Sequence, residues 1–245
     1  MPGTDQTPNR RAEQTRKAIL RAAIREFSTH GLAGARTDTI AESAKVNKAL
    51  LYYYFKSKHG LYAAAVEEVS SVVAERALAA LDPKLGAGER LLRTALSHFD
   101  RILTQRDFQS LMQQEMVRMR RGESEALPSM VENVFRPVLS KLKQAVDDGI
   151  ESGELCPVDW LQVVYSALGA NVFFFLSAPM MRLLLPFDPM SPAAIESRRK
   201  AAVQYLGNAL FVDRAHGARL VKRVLADMPM PKPRLLHDRA GRKFL

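Results

Sequence analysis

The sequence predicts an all-α protein, a three-helix helix-turn-helix head followed by a larger helical body. Three observations carry that reading. No stretch of the 245 residues sustains a two-residue apolar alternation, and no Asn-Gly turn joins two β-like runs. Apolar residues recur instead at helical spacing, as at Ile19, Ala23 and Phe27. Glycines and prolines interrupt the chain at intervals of about one helix. With 47% hydrophobic and 25% charged residues, the chain is long and apolar enough to bury a real core.

Taken in order, residues 1–14 read as a flexible basic leader containing Pro2, Gly3 and Pro8. A first helix starts near Thr15, buries the Ile19–Ala23–Phe27 stripe and stops at Gly31. A short second helix spans about Thr37 to Ala44, with Ile40 and Ala41 inward. A tight break at Lys45-Val46 leads into a third, from about Asn47 to Phe55. Ser57 opens a fourth, which ends where Asp82-Pro83 breaks the chain. The head therefore covers 15–61 and the helical body 62–227. Within the body, helices are expected near 89–105, 107–120, 128–152, 158–177, 193–212 and 214–227. Pro128 suits a first helical turn, Pro137 should kink its helix, and Pro179 marks the end of another. Residues 228–245 are basic and proline-containing and read as a disordered tail.

Charge is distributed unevenly. Residues 1–60 hold 11 basic and 5 acidic side chains, and 214–245 hold 9 and 2, whereas 61–213 hold 16 and 19. Two basic ends flanking a mildly acidic middle suit a polyanionic partner. The first thirty residues contain no apolar run, so no secretory signal is expected. A single cysteine, Cys156, excludes an internal disulfide and fits a reducing cytoplasm. Residues 163–181 carry no charge and approach the length of a membrane span. Gly169, Asn171 and Pro179 within them favour burial against a partner subunit, so no membrane partner is expected.

Function concentrates in 37–58. Two short helices joined by a tight turn form a helix-turn-helix pattern. At about 100° per residue, with Leu51 and Phe55 inward, Ala49 and Tyr53 face out. Leu50 and Tyr54 form one flank and Tyr52 the other. Asn47 to Phe55 contains no Asp or Glu. Such a helix suits the major groove: Ala49 permits close approach, tyrosine rings meet thymine methyls and phosphates, and Lys48, Lys56 and Lys58 meet the backbone.

The run Thr15-Arg16-x-x-Ile19-Leu20-x-Ala22-Ala23-x-x-x-Phe27-x-x-x-Gly31 precedes Ile40-Ala41-x-x-Ala44-x-Val46 and Leu51-Tyr52-x-Tyr54-Phe55-x-Ser57-Lys58-x-x-Leu61. Together they resemble the amino-terminal domain of TetR-family repressors, over about the first 62 residues. The resemblance implies an all-helical homodimer whose head binds palindromic operator DNA. It implies a body that binds a small effector and dimerises through its last two main helices, releasing DNA when the effector is bound. It also implies DNA contacts from Thr37, Thr39, Asn47, Lys48, Ala49, Tyr52, Tyr53, Tyr54 and Lys58. Thr37 could equally cap its helix. The chain departs from the family at Lys45, where glycine is usual in the turn. A lysine there implies either backbone strain or a different turn, and adds a possible phosphate contact.

Chemistry of other kinds is poorly supported. The five histidines, His30, His59, His98, His216 and His237, never fall four apart, and there is no glycine-rich phosphate loop. No metal, cofactor or enzymatic activity is expected. In the body, His98, Phe99, Met112, Met116, Phe135, Asn171, Phe174 and Phe175 are candidates for a pocket, with methionines as adaptable walls. Each is also an ordinary core residue. Asn171, a lone amide in an apolar helix, either binds the effector or fixes the dimer register. Two rival readings are a membrane-associated helical protein and a small-molecule-binding helical protein without specific DNA binding.

Overall fold

The computed structural model describes residues 7–231 together with the pairs 236–237 and 243–244. In order, the helices are α1 (Thr7–Gly34), α2 (Thr37–Ala44), α3 (Lys48–Phe55), α4 (Lys58–Ala80), α5 (Ala87–Thr104), α6 (Arg106–Arg120) and α7 (Leu127–Met130). A π-helical turn, Val131–Phe135, leads into α8 (Arg136–Glu151). After α9 (Trp160–Val164), a second π-turn, Tyr165–Gly169, leads into α10 (Ala170–Leu184), α11 (Pro192–Leu210) and α12 (Arg214–Asp227). Two two-residue strands, β1 (Leu236–His237) and β2 (Lys243–Phe244), pair antiparallel. The fold is all-α, as the sequence predicts. The rest of the tail beyond Pro231, and residues 1–6 of the leader, lie outside the described residues.

Three differences from the sequence reading stand out. Helix α1 begins at Thr7, so the described part of the 1–14 leader is helical. Its residues (Arg10, Arg11, Glu13 and Gln14 among them) are good helix formers, and Pro8 sits in the first turn, where its missing N–H costs nothing. They carry no apolar stripe, and periodicity could not find them. Helix α10 runs through Pro179 instead of ending there. Pro137 does not simply kink a helix; the π-turn just before it takes up the mismatch that a proline ring creates with the preceding turn.

The chain divides into two compact units. One holds residues up to Val73 and Arg106–Phe135, the other Ala74–Gln105 and everything from Arg136. The unit that contains the expected head, 15–61, also contains α6, α7 and α4 as far as Val73. Its core is the predicted stripe of α1, Ile19, Ala23 and Phe27, joined by Ile40, Leu51, Leu61 and, from α6, Leu111. Ser110 Oγ donates to the Ser28 carbonyl at 2.5 Å, and Ser28 Oγ donates to Asp107 Oδ1 at 3.0 Å. Contacts between segments some eighty residues apart leave no local pattern to read.

In the second unit α5 is the central helix, packed by α8, α10, α11 and α12. Leu92, Leu96, Leu142, Val146, Val203 and Val224 form its core. Buried Arg199 on α11 grips Asp100 on α5 with two hydrogen bonds of 2.6 and 2.7 Å. Helices α11 and α12 meet at glycines. A Cβ on Gly207 would lie 2.5 Å from Val221 Cγ2, and one on Gly217 would lie 2.5 Å from the Gly207 carbonyl oxygen.

Candidate nucleic-acid interface

Helices α2 and α3 are held by their caps. Arg36 is the N-cap of α2, but its side chain makes no cap bond. Buried Glu26 on α1 accepts the Arg36 backbone N–H at 3.1 Å and so ties the start of α2 to α1. The α2 C-cap, Lys45, is left-handed at φ 57° and ψ 43°, and its N–H reaches the carbonyls of Ala41 and Glu42. Asn47 then caps α3, its side chain accepting the Leu50 N–H at 2.7 Å. Of the two alternatives at the turn, the structure has the left-handed one: a lysine occupies the conformation glycine tolerates best. A second corner ends α3. Lys56 has φ 62° and ψ −46°, and Ser57 N–H donates back to the Phe55 carbonyl at 2.7 Å, closing a γ-turn. Gly60 fits this corner because a Cβ there would lie 2.4 Å from the same carbonyl.

These constraints set the outward face of α3. Leu51 and Phe55 are buried, and the Arg16 guanidinium lies over the Phe55 ring, 5.5 Å from its centroid. Tyr53 is 70% exposed and Lys45, Asn47, Lys48 and Ala49 are exposed beside it. Thr39, Tyr52, Tyr54 and Lys58 are half-buried. Tyr52 and Tyr54 pack against the head core, and Tyr54 meets Tyr53 edge-on at 5.4 Å. Thr37 follows the N-cap Arg36 and is 8% exposed, its hydroxyl 3.4 Å from the Tyr52 hydroxyl across the α2–α3 contact.

The cations have partners within the head. Lys48 pairs with Asp38 at 2.9 Å, and that hydrogen bond raises its pKa. Lys58 donates to the Ala33 carbonyl near the end of α1 at 3.1 Å. Lys56 donates to the Tyr53 carbonyl at 3.0 Å and lies over the Tyr53 ring, so it steadies the exposed tyrosine. Arg10 and Arg11 are exposed on the first turns of α1.

Behind the head, Glu115 on α6 is 2% exposed and accepts from Tyr62 Oη at 2.7 Å and Ser124 Oγ at 2.5 Å. Burial, with the Glu115 bond adding to it, pushes the Tyr62 phenol well above its ordinary range. This polar tie between α4 and α6 escapes the sequence reading, because a glutamate on an amphipathic helix reads as solvent-facing. The candidate pocket residues fall in both units. Phe99, Phe174 and Phe175 form a mutual aromatic cluster with His98 and Asn171 on the same helices, α5 and α10. Met112, Met116 and Phe135 belong to the head's unit; Met112 and Phe135 pack on its core, and Met116 is 56% exposed.

Residues 19–65 match the profile of bacterial regulatory proteins of the tetR family, and residues 88–206 match a tetracyclin repressor-like C-terminal domain. The two matches together cover more than half of the chain. The chain belongs to the tetR family of bacterial regulatory proteins. As a member it is a transcriptional regulator with a DNA-binding helix-turn-helix, and α2 and α3 are that motif. Among its relatives, an HTH-type transcriptional repressor of Streptomyces coelicolor is 46% identical over 56 residues, 23% of this chain and 29% of that protein. An uncharacterized HTH-type transcriptional regulator of Bacillus subtilis is 27% identical over 144 residues, 59% of this chain and 73% of that protein. The match thus spans under a third of the Streptomyces repressor's length. A Saccharomonospora viridis protein solved in complex with choline shares the fold, with a TM-score of 0.65 at 16% identity over 81% of this chain and 98% of that one. Regulators of this family are in general not enzymes, and among the described residues no group of three or more His, Cys, Asp or Glu could hold a metal ion.

Proposed function

We propose that this tetR-family member is a homodimeric, effector-responsive repressor that reads a palindromic operator with α3. The observation that carries the reading is the outward face of α3, where Tyr53 stands exposed among Lys45, Asn47, Lys48 and Ala49 on a helix without a carboxylate. In the groove, Ala49 and Tyr53 meet base edges, with Thr39 and Tyr54 on the flanks. Lys48 and Lys58 exchange their internal partners for phosphates, Lys45 adds a phosphate contact of its own, and Thr37 and Tyr52 hold the angle between the two helices.

Dimerisation is supported by α10. Phe173, Leu176, Met180 and Leu183 recur at alternating steps of three and four and are all exposed, while Asn171 and Ala178 on the other face are buried. The segment Trp160–Leu184 is long and apolar enough to cross a membrane. A one-sided stripe of this period suits a partner helix better than lipid, which would surround every face. A dimer in the cytoplasm presents two copies of α3 to inverted half-sites one helical turn apart or a multiple of it.

For the effector, the cluster of Phe99, Phe174 and Phe175 offers an apolar, aromatic lining. Asn171 Oδ1 and His98 Nδ1 are buried polar atoms there without a hydrogen-bond partner among the described residues. They suit an aromatic or hydrophobic compound carrying a donor. It must bind the DNA-incompetent form more tightly, or it shifts nothing. Selection of bound fragments from genomic DNA in the presence of competitor tests the reading. The expected product is an inverted repeat lost in Tyr53→Ala; fragments without a common sequence would refute it.

A further inference from the structure

The head's unit contains a cavity of about 220 Å³ between α4 and the α7 segment with its π-turn. Its walls include Ala126, Met130 and Val134, all buried. Ser70 also lines it, at 1% exposure, and Ser70 Oγ has no hydrogen-bond partner among the described residues. Its neighbour Ser71 shows the contrast: that hydroxyl bonds back to the Glu68 carbonyl of its own helix at 3.0 Å, as helical serines commonly do. A buried hydroxyl left unpaired is costly, and its persistence against an open cavity points to a partner that enters from outside. Glu67 and Glu125, both exposed, line the same cavity, and neither has an ion-pair partner among the described residues.

We propose that this cavity is a binding site for a short aliphatic amino alcohol. The two carboxylates set one end of the ligand, where a cation finds two counter-charges lining the same cavity. The apolar walls set the middle, a short run of methylenes. Ser70 sets the inner end, and there a charge is excluded. A buried ammonium facing a single hydroxyl would lose far more hydration than one hydrogen bond returns, whereas a hydroxyl both donates to and accepts from Ser70 Oγ. The volume accommodates a molecule of about six heavy atoms with room for water. This site is separate from the aromatic cluster of α5 and α10, and it stands or falls independently of the effector and operator proposed above.

Calorimetric titration of the full-length protein, without DNA, tests the proposal with three probes: 4-aminobutan-1-ol, butane-1,4-diol and butylamine. The amino alcohol is expected to bind saturably, one per chain. The diol, lacking the charge, and butylamine, lacking the hydroxyl, should each bind about tenfold more weakly or worse. Glu67→Gln with Glu125→Gln should remove the advantage of the amino alcohol over the diol. Ser70→Ala should remove its advantage over butylamine, while leaving the unliganded melting temperature equal or higher, because the variant deletes an unsatisfied group. A hydroxyl with a purely structural role would instead lower that temperature. No saturable binding of the amino alcohol, equal binding of all three probes, or binding indifferent to these substitutions would overturn the proposal.

Discussion

Lys45 has φ 57° in the turn between α2 and α3, a conformation in which a side chain crowds the following carbonyl. Lys45→Gly should raise stability by about 0.5–1 kcal/mol, read as a higher denaturant midpoint at unchanged slope. The same change should weaken DNA binding modestly at low salt; unchanged affinity would remove Lys45 from the phosphate contacts. His98 gives a second prediction. Burial, with Arg101 nearby adding to it, pushes its pKa down to about 3. Unfolded, it takes up a proton below about pH 6.5, and folded it does so only near 3, so proton uptake favours the unfolded chain as pH falls through that window. His98→Leu should therefore flatten the decline in stability between these limits, by at most about 1.4 kcal/mol per pH unit. Parallel pH profiles of the two proteins would show that His98 is not held neutral. At this scale the outward face of α3 was legible: Leu51 and Phe55 turn in and Tyr53 turns out, as the helical repeat requires. The burial of Thr37 and Glu115 was not, because each depends on which helix lies opposite.

Among the elements, α2 and α12 match the expected 37–44 and 214–227; Asp213 and Pro229 mark the ends of α12 in the sequence, whereas α2 is bounded by Arg36 and Lys45, neither a cap nor a breaker by residue type. Where breakers mislead, the neighbourhood decides: α10 continues past Pro179 with Ser177 and Ala178 buried beside it. The contact of α11 with α12 was invisible in advance, for a helical glycine reads only as a weak point. Here it is a point of close approach. Gly207→Ala would gain about 0.5–1 kcal/mol on an open helix, but with Val221 in the way overpacking costs about 1–3 kcal/mol. A lower melting temperature is expected, and a stabilised variant would show that the helices can move apart freely.

At the level of the whole molecule, the sequence revealed a head and a helical body but not that α6 and α7 group with the head. The basic excess of residues 1–60 acquires a location in exposed Arg10, Arg11, Lys45 and Lys48. That of the carboxy-terminal end is divided: Arg214, Arg219, Lys222 and Arg223 belong to α12, whereas Lys232, Arg234, Arg239 and Arg242 lie outside the described residues. The exposed stripe of α10 predicts the assembly. Leu176→Glu with Met180→Glu should yield a folded monomer by light scattering, with unchanged helical circular dichroism and weaker operator binding. A dimer that survives both charges would put the interface elsewhere. The central claim, that the exposed face of α3 reads sequence, is tested most directly by competition at fixed salt between a selected site and unrelated duplex. The native protein should prefer the site by about a thousandfold or more, and Tyr53→Ala should lose most of that preference while keeping its nonspecific affinity. Equal affinity of the native protein for both duplexes, or an undiminished preference in Tyr53→Ala, would contradict the account.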